Sequence, residues 1–173
     1  MRIVAGRWRG RRIEAPPGLA VRPTLDSVRE AWMSILQSDI PGSRVLDLFA
    51  GSGALGLETL SRGALSADFV EKDGKTLRVL QQNIDLLGAS DTAVVHRGDA
   101  IRFAERLEPG SYDLTVADPP YSGGAALKLA SLWLQQPFAR ILSVEHDSRE
   151  TLPGDGETRK YGSSAITFYR REE

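Results

Sequence analysis

The sequence contains no cysteine. That absence removes disulfides, thiolate metal ligands and cysteine nucleophiles together. Histidine is almost as scarce: His96 and His146 are the only two, so a metal centre is not expected and both are read as structural. Long apolar runs are missing as well. No segment approaches the roughly 20 apolar residues that a membrane-spanning helix needs, and Met1-Arg2-Ile3-Val4-Ala5-Gly6-Arg7 lacks the apolar block of a secretory leader. A cytoplasmic protein is expected. At 173 residues the chain suits one domain with a full core, and residues 1–173 are read as a single unit.

Net charge is nearly absent too, at −1, but it is unevenly spread. Residues 1–30 carry seven arginines (2, 7, 9, 11, 12, 22 and 29) against Glu14, Asp26 and Glu30. A basic segment of this kind reads as a flexible arm for an anionic partner such as nucleic acid, or as a solvated ribbon. Three parts are expected: a basic N-terminal hairpin or arm over residues 1–21, a docked helix within 22–40, and a core over 41–173.

What is present beyond residue 40 is an alternation of short apolar segments with longer amphipathic ones, the pattern of a parallel sheet covered by helices. Strands are expected at Arg44–Phe49, Ala67–Glu71, Thr92–Arg97, Tyr112–Ala117 and Arg140–Glu145. A helix is expected from Asp73 to Leu87, where Leu77, Leu80, Ile84 and Leu87 line one face and Gly88 ends it. Leu25, Val28, Trp32, Ile35 and Leu36 mark an earlier helix begun by Pro23-Thr24, with Asp26 in its first turn. Hairpins are expected at Arg2–Ile13 and at Arg159–Arg170 around Gly162-Ser163-Ser164.

The first strand runs into Phe49-Ala50-Gly51-Ser52-Gly53-Ala54-Leu55-Gly56. Glycines are needed where a backbone turns tightly and lets a ligand approach its amides. Gly51, Gly53 and Gly56 complete a dinucleotide fingerprint, and Glu71 follows at the end of the next strand. The turn alone therefore does not separate a nicotinamide cofactor from S-adenosylmethionine. Asp47 favours the second, since a carboxylate inside a dinucleotide-fold strand would be costly to bury unpaired; it either orients the loop and meets the cofactor, or merely caps loop amides. Glu71, followed by Lys72, is placed to accept from both ribose hydroxyls. Gly98-Asp99-Ala100 occupies the matching position after the third strand, with Asp99 beside the adenine or serving as an ordinary helix cap.

After the fourth strand comes Asp118-Pro119-Pro120-Tyr121. Two prolines fix φ, donate no N–H and leave carbonyls free. A carboxylate, the Pro119 carbonyl and an aromatic face suit methylation of an amino group conjugated to a ring. Two acceptors draw its hydrogens away from the ring plane, and Tyr121 stacks on the base; orientation and preorganised electrostatics supply the acceleration.

These segments together resemble the bacterial small-subunit ribosomal RNA guanine-N2 methyltransferases, which act on one loop guanine of the 16S molecule. The resemblance runs nearly end to end. It includes Arg2 to Gly6, Trp8 to Arg12, Arg22-Pro23-Thr24 leading to Val28-Arg29-Glu30, Val45 to Gly63, Phe69 to Glu71, Gly98 to Ala100, Asp118 to Tyr121, Lys160 to Gly162 and Phe168 to Arg170. It implies an α/β, Rossmann-like class I methyltransferase fold: a mostly parallel seven-stranded sheet with an antiparallel last strand, preceded by the N-terminal hairpin and helix. It further implies S-adenosylmethionine across the strand ends, with Arg22, Pro23 and Thr24 closing over its methionine end and Arg22 meeting its carboxylate. The substrate implied is 16S RNA in a partly or fully assembled small ribosomal subunit; a monomeric protein is expected.

In that setting Arg2, Arg7, Arg9, Arg11 and Arg12 meet backbone phosphates. Trp8 either stacks on an exposed base or is buried beneath the hairpin. The target guanine has to be unpaired or flipped out to reach Asp118. Rival readings are adenine-N6 or cytosine-N4 methylation of DNA, methylation of a protein glutamine amide, a nicotinamide oxidoreductase, and a non-catalytic ribosome-binding module.

Overall fold

The computed structural model describes residues 1–16 and 23–172, with only the backbone for residues 23–25. Helix α1 (Pro23–Ile35) precedes the alternating elements β1 (Arg44–Leu48), α2 (Ala54–Ser61), β2 (Ser66–Glu71), α3 (Gly74–Leu87), β3 (Ala93–Arg97), α4 (Ala100–Glu105), β4 (Tyr112–Ala117), α5 (Ala125–Gln135) and β5 (Ala139–Asp147). A hairpin of β6 (Glu157–Tyr161) and β7 (Ser164–Arg170) ends the sheet. The sheet has seven strands in the order β3-β2-β1-β4-β5-β7-β6, and β7 runs antiparallel to both its neighbours.

Period-two alternation decides which helices cover which face. Val45, Ala67, Phe69, Leu114, Val116 and Ile141 pack toward Trp32 of α1, Leu57 of α2 and Leu80 of α3. Their neighbours Leu46, Leu48, Val70, Ala117, Leu142 and Val144 pack toward Ala104 of α4 and Leu129 and Trp133 of α5. Both faces are buried, as βαβ crossovers require.

The expected strands are present within one or two residues at each end. Helix α3 starts one residue later than the pattern suggests because Asp73 is its cap: its carboxylate accepts from the Thr76 amide at 2.9 Å, and Gly88 (φ +66°) closes the other end.

The N-terminal segment closes antiparallel as the expected hairpin does, the Ile3 amide donating to the Arg11 carbonyl and the Ile13 amide to the Met1 carbonyl, both at 2.9 Å, but it lacks regular strands. Arg2 and Arg12 form one isolated antiparallel bridge, with turns between them in place of two strands. Nor is the segment a free arm. Buried Glu58 of α2 accepts from the Val4 and Ala5 amides at 2.9 and 3.1 Å, and Ser61 receives the Arg7 amide at its carbonyl and the Trp8 amide at its hydroxyl. Gly6 (φ +86°) passes so close to the Ser61 carbonyl that a Cβ would collide with it. Further along, Asn83 of α3 accepts from the Glu14 amide at 2.8 Å and donates to the Glu14 carbonyl at 2.9 Å. Ile3, Trp8 and Ile13 are buried in the same contact, each side chain contributing about 1.5–3 kcal/mol of hydrophobic burial.

Candidate active site

The strand order turns back between β1 and β4, and in open α/β sheets ligands bind outside the carboxyl ends of strands at such a point. Register lines up the residues found there. Leu48 pairs with Val70 and with Ala117, and Ala117 pairs with Val144. The next residues, Phe49, Glu71, Asp118 and Glu145, therefore follow one another along a single edge of the sheet.

At the end of β1 the chain enters a strained turn. Phe49 has φ +57°, the left-handed region that side chains seldom occupy, and Gly51 and Gly53 continue in it at +57° and +85°. Two of the three glycines are required by packing: a Cβ on Gly53 would strike Leu80, and one on Gly56 would strike Phe69. Gly51 is different, because a Cβ there would meet nothing within 4 Å. Its surroundings leave space for a ligand to approach the backbone.

Two carboxylates hold this turn. Buried Asp47 accepts from the Gly56 amide at 3.0 Å through Oδ2, while its Oδ1 is buried without a partner. Burial pushes its carboxyl well above the ordinary range, the Gly56 amide opposes this, and the charge of Glu71 adds to it. Glu71 accepts from the Gly51 amide at 3.0 Å and, through Oε2, from the Lys72 and Asp73 amides at 3.0 and 2.9 Å. Three amides occupy a carboxylate with about four acceptor positions, so Glu71 first fastens the glycine turn to the end of β2. Asp99 caps α4 by accepting from the Arg102 amide at 3.0 Å, with its second oxygen left over.

A cavity of about 280 Å³ lies between the glycine turn and α1, lined among others by Phe49, Gly51, Ser52, Asp118, Glu145 and Arg29. It brings together Phe49, Ala50, Gly51, Ser52 and Asp118 of the residues singled out in the sequence. Glu71, Lys72, Gly98, Asp99 and Ala100 are at neighbouring strand ends, outside its lining. Arg22 lies outside the described residues, as do the side chains of Pro23 and Thr24.

Asp118 is reachable from solvent yet ringed by protein on most sides. Its partner there is buried Glu145, which the sequence presents only as the end of a strand. Partial desolvation, the hydrogen bond with Glu145 and the charges of Glu145 and Asp47 hold the Asp118 carboxyl well above the usual range. The neighbouring Glu145 therefore favours the protonated form of Asp118. Tyr121 donates toward Glu145 at 3.4 Å and is 2.6 Å from the Ser164 hydroxyl, while the residue remains 44% exposed. Pro119 is buried and Pro120 exposed. The result is a rigid acceptor edge beside a free aromatic face.

A family model described as conserved hypothetical protein 95 matches residues 1–170. Ribosomal RNA small subunit methyltransferase D of Escherichia coli is 33% identical, over 99% of this chain and 90% of its own. The chain belongs to the ribosomal RNA small subunit methyltransferase D family. Another relative of this family member, the putative rRNA methyltransferase YlbH of Bacillus subtilis, is 36% identical over 99% of both chains. Among solved structures, the putative methyltransferase yhhF of Escherichia coli superposes with a TM-score of 0.85 at 32% identity, covering 99% of this chain and 98% of that one. The Thermus thermophilus 16S rRNA N2 G1207 methyltransferase, solved with AdoMet and guanosine, shares the fold at a TM-score of 0.68 and 22% identity, over 90% of this chain and 45% of its own.

In this family member the basic segment is a docked surface. Arg2, Arg7, Arg9, Arg11 and Arg12 are exposed, and among the described residues none pairs with a carboxylate. Arg11 donates to the Leu86 carbonyl at the end of α3 at 2.6 Å. Trp8 takes the buried alternative: it is 6% exposed, with the Arg7 guanidinium 4.3 Å from its ring centroid. That burial removes it from the surface on which a base would stack. Both histidines are bonded within the sheet, His96 to Asp68 at 3.1 Å and His146 to Thr167 at 2.8 Å.

Proposed function

We propose that this chain transfers the methyl group of S-adenosylmethionine to the exocyclic N2 amino group of one guanine in 16S ribosomal RNA, presented by a partly or fully assembled small ribosomal subunit. The observation that carries this reading is the position of Asp118 at the β1/β4 crevice, lining the same cavity as the glycine turn. The residues present suit the cofactor: Gly51 offers an open backbone approach, and the carboxyl groups of Asp118 and Glu145 line the same cavity as acceptors. In this assignment Phe49 to Gly53 cradle it, Glu71 takes a ribose hydroxyl with its remaining acceptor site, and Asp99 uses its spare oxygen beside the adenine. Bound there, S-adenosylmethionine supplies an electrophilic methyl on a cationic sulfur.

The chain's own residues do the rest. A ring-conjugated amine is a poor nucleophile because its lone pair is shared with the base. Asp118 accepts one of its hydrogens and the Pro119 carbonyl the other, which turns the lone pair out of the ring plane. Tyr121 supports the base plane with its exposed face. As the nitrogen–carbon bond forms and the sulfur–carbon bond breaks, the sulfur keeps the bonding pair and the nitrogen becomes cationic. The acidic edge formed by Asp118 and Glu145 stabilises that cation, and the excess proton leaves through Asp118 to solvent. Preorganised groups of this kind are worth about 10²–10³ in rate.

The RNA substrate is supported by the relatives' names and by the five exposed arginines with no carboxylate partner among the described residues. Tritium-labelled S-adenosylmethionine incubated with small subunits from cells lacking the enzyme, with duplex DNA and with total protein tests the substrate class. Label in the RNA of the subunit is expected. Label confined to DNA or protein contradicts the proposal.

A further inference from the structure

Arg29 stands out among the buried side chains. It lies in the middle of α1, with its side chain only 8% exposed, and lines the cavity opposite the glycine turn. One of its terminal nitrogens donates to the Arg2 carbonyl at 2.7 Å and lies 3.6 Å from Asp26, whose own side chain is 45% exposed. Its Nε is buried and has no partner. A guanidinium carries five N–H donors in a planar fork, and a buried donor left unpaired costs on the order of a hydrogen bond.

The part of the guanidinium that lines the cavity belongs to a cation with only the Arg2 carbonyl and the outlying Asp26 against it, and an anion entering the cavity completes its set of partners. A carboxylate matches the fork through two parallel hydrogen bonds. Away from Arg29 the cavity is of opposite character, with Asp118 and Glu145 lining it. A zwitterionic amino-acid group set with its carboxylate toward α1 and its ammonium toward the acidic strand ends meets both.

We propose that Arg29 is the binding residue for the α-carboxylate of the cofactor's methionine end, so that α1 and the arm held at Arg2 report on cofactor occupancy. This rests on the methyl-transfer reading above and assigns to Arg29 the contact that the sequence suggests for Arg22. The Arg2 carbonyl shares the same guanidinium, so a bound carboxylate fixes the orientation of the arm's first residues as well.

The test compares two ligands that differ in this one group. S-adenosylmethionine and its decarboxylated analogue, which keeps the ammonium and loses only the carboxylate, are titrated by calorimetry into wild type, Arg29→Gln and Arg29→Lys. Wild type is expected to prefer the complete ligand. Arg29→Gln should lose about 30-fold or more of its affinity for S-adenosylmethionine while binding the analogue as wild type does, and Arg29→Lys should fall between. Equal weakening of both ligands in Arg29→Gln would mean the side chain supports only the fold, and would overturn the assignment. A wild type that binds both ligands equally would also overturn it, leaving the methyl-transfer reading intact. Failure of wild type to bind either would overturn both.

Discussion

Asp118 and Glu145, each one residue beyond the paired positions Ala117 and Val144, line one cavity side by side at the edge of the sheet. Acidic groups packed this way oppose each other's ionisation. Because the folded-state value of Asp118 is raised, its protonated form is the favoured one: its contribution to stability is present at low pH and lost as pH rises through the folded-state value. Asp118→Asn should therefore raise the melting temperature near about pH 8, with the gain shrinking toward about pH 4. Turnover should fall by about 10²–10³. Thermal scans across this range, paired with turnover, check both; a variant less stable at high pH and still active would contradict the account.

Glu145→Gln removes the neighbouring charge while keeping a group that can meet Tyr121. The Asp118 carboxyl then ionises more readily, so the acid limb of kcat/KM against pH should move to lower pH, with activity at high pH reduced less than in Asp118→Asn. An acid limb that stays in place would show that the pair is not what titrates.

Gly56→Ala places a methyl where Phe69 and the Asp47 carboxylate already sit. In an ordinary helix alanine is better than glycine by about 1 kcal/mol, so any loss is attributable to the collision. Overpacking of this sort costs roughly 1–3 kcal/mol, and the displaced turn should weaken cofactor binding too. Denaturant unfolding measures the first effect and calorimetry the second; a stabilised variant would show that the turn can yield.

The arginines of the N-terminal segment should separate by role. Alanine at Arg7, Arg9 and Arg12 together is expected to lower the salt slope of RNA binding by roughly 2, at about 0.7–0.9 per phosphate contact, with stability reduced only by the lost Arg7–Trp8 contact, about 0.5–1 kcal/mol. Arg11→Ala removes the hydrogen bond to Leu86 and should cost stability as well. Trp8→Ala should destabilise by roughly 3–5 kcal/mol, as buried tryptophans do. Binding titrations at several salt concentrations and unfolding curves distinguish these; an unaltered slope in the triple variant would remove the segment from the RNA interface.

What could be read from the sequence was local. Apolar runs and flanking glycines place β1 to β5, and the Leu77, Leu80, Ile84 and Leu87 stripe places α3, because these signals lie within one element. Asp118 and the glycine turn were legible for the same reason, as chemistry carried by adjacent residues. Glu145 was not, since only the register of β4 against β5 sets it beside Asp118. Arg29 reads on its own as part of a solvated helix face next to Glu30. It is buried because the N-terminal segment folds back so that the Arg2 carbonyl reaches its guanidinium. Trp8 was ambiguous among its arginines until the hydrogen bonds to Glu58 and Ser61 fixed which side of the segment faces the core. The hairpin expected at Arg2–Ile13 closes antiparallel but carries turns in place of regular strands, with Gly6 and Gly10 at positive φ and the Arg7 and Trp8 amides drawn to α2.

The central claim is that the Asp118 site methylates the N2 amino group of guanine in RNA. Its most direct measurement is the identity of the modified nucleoside after small-subunit RNA is incubated with the enzyme and S-adenosylmethionine, digested and resolved by mass spectrometry. The account predicts N2-methylguanosine with wild type and none with Asp118→Asn. N6-methyladenosine, N4-methylcytidine, or an undiminished yield from the variant would contradict it.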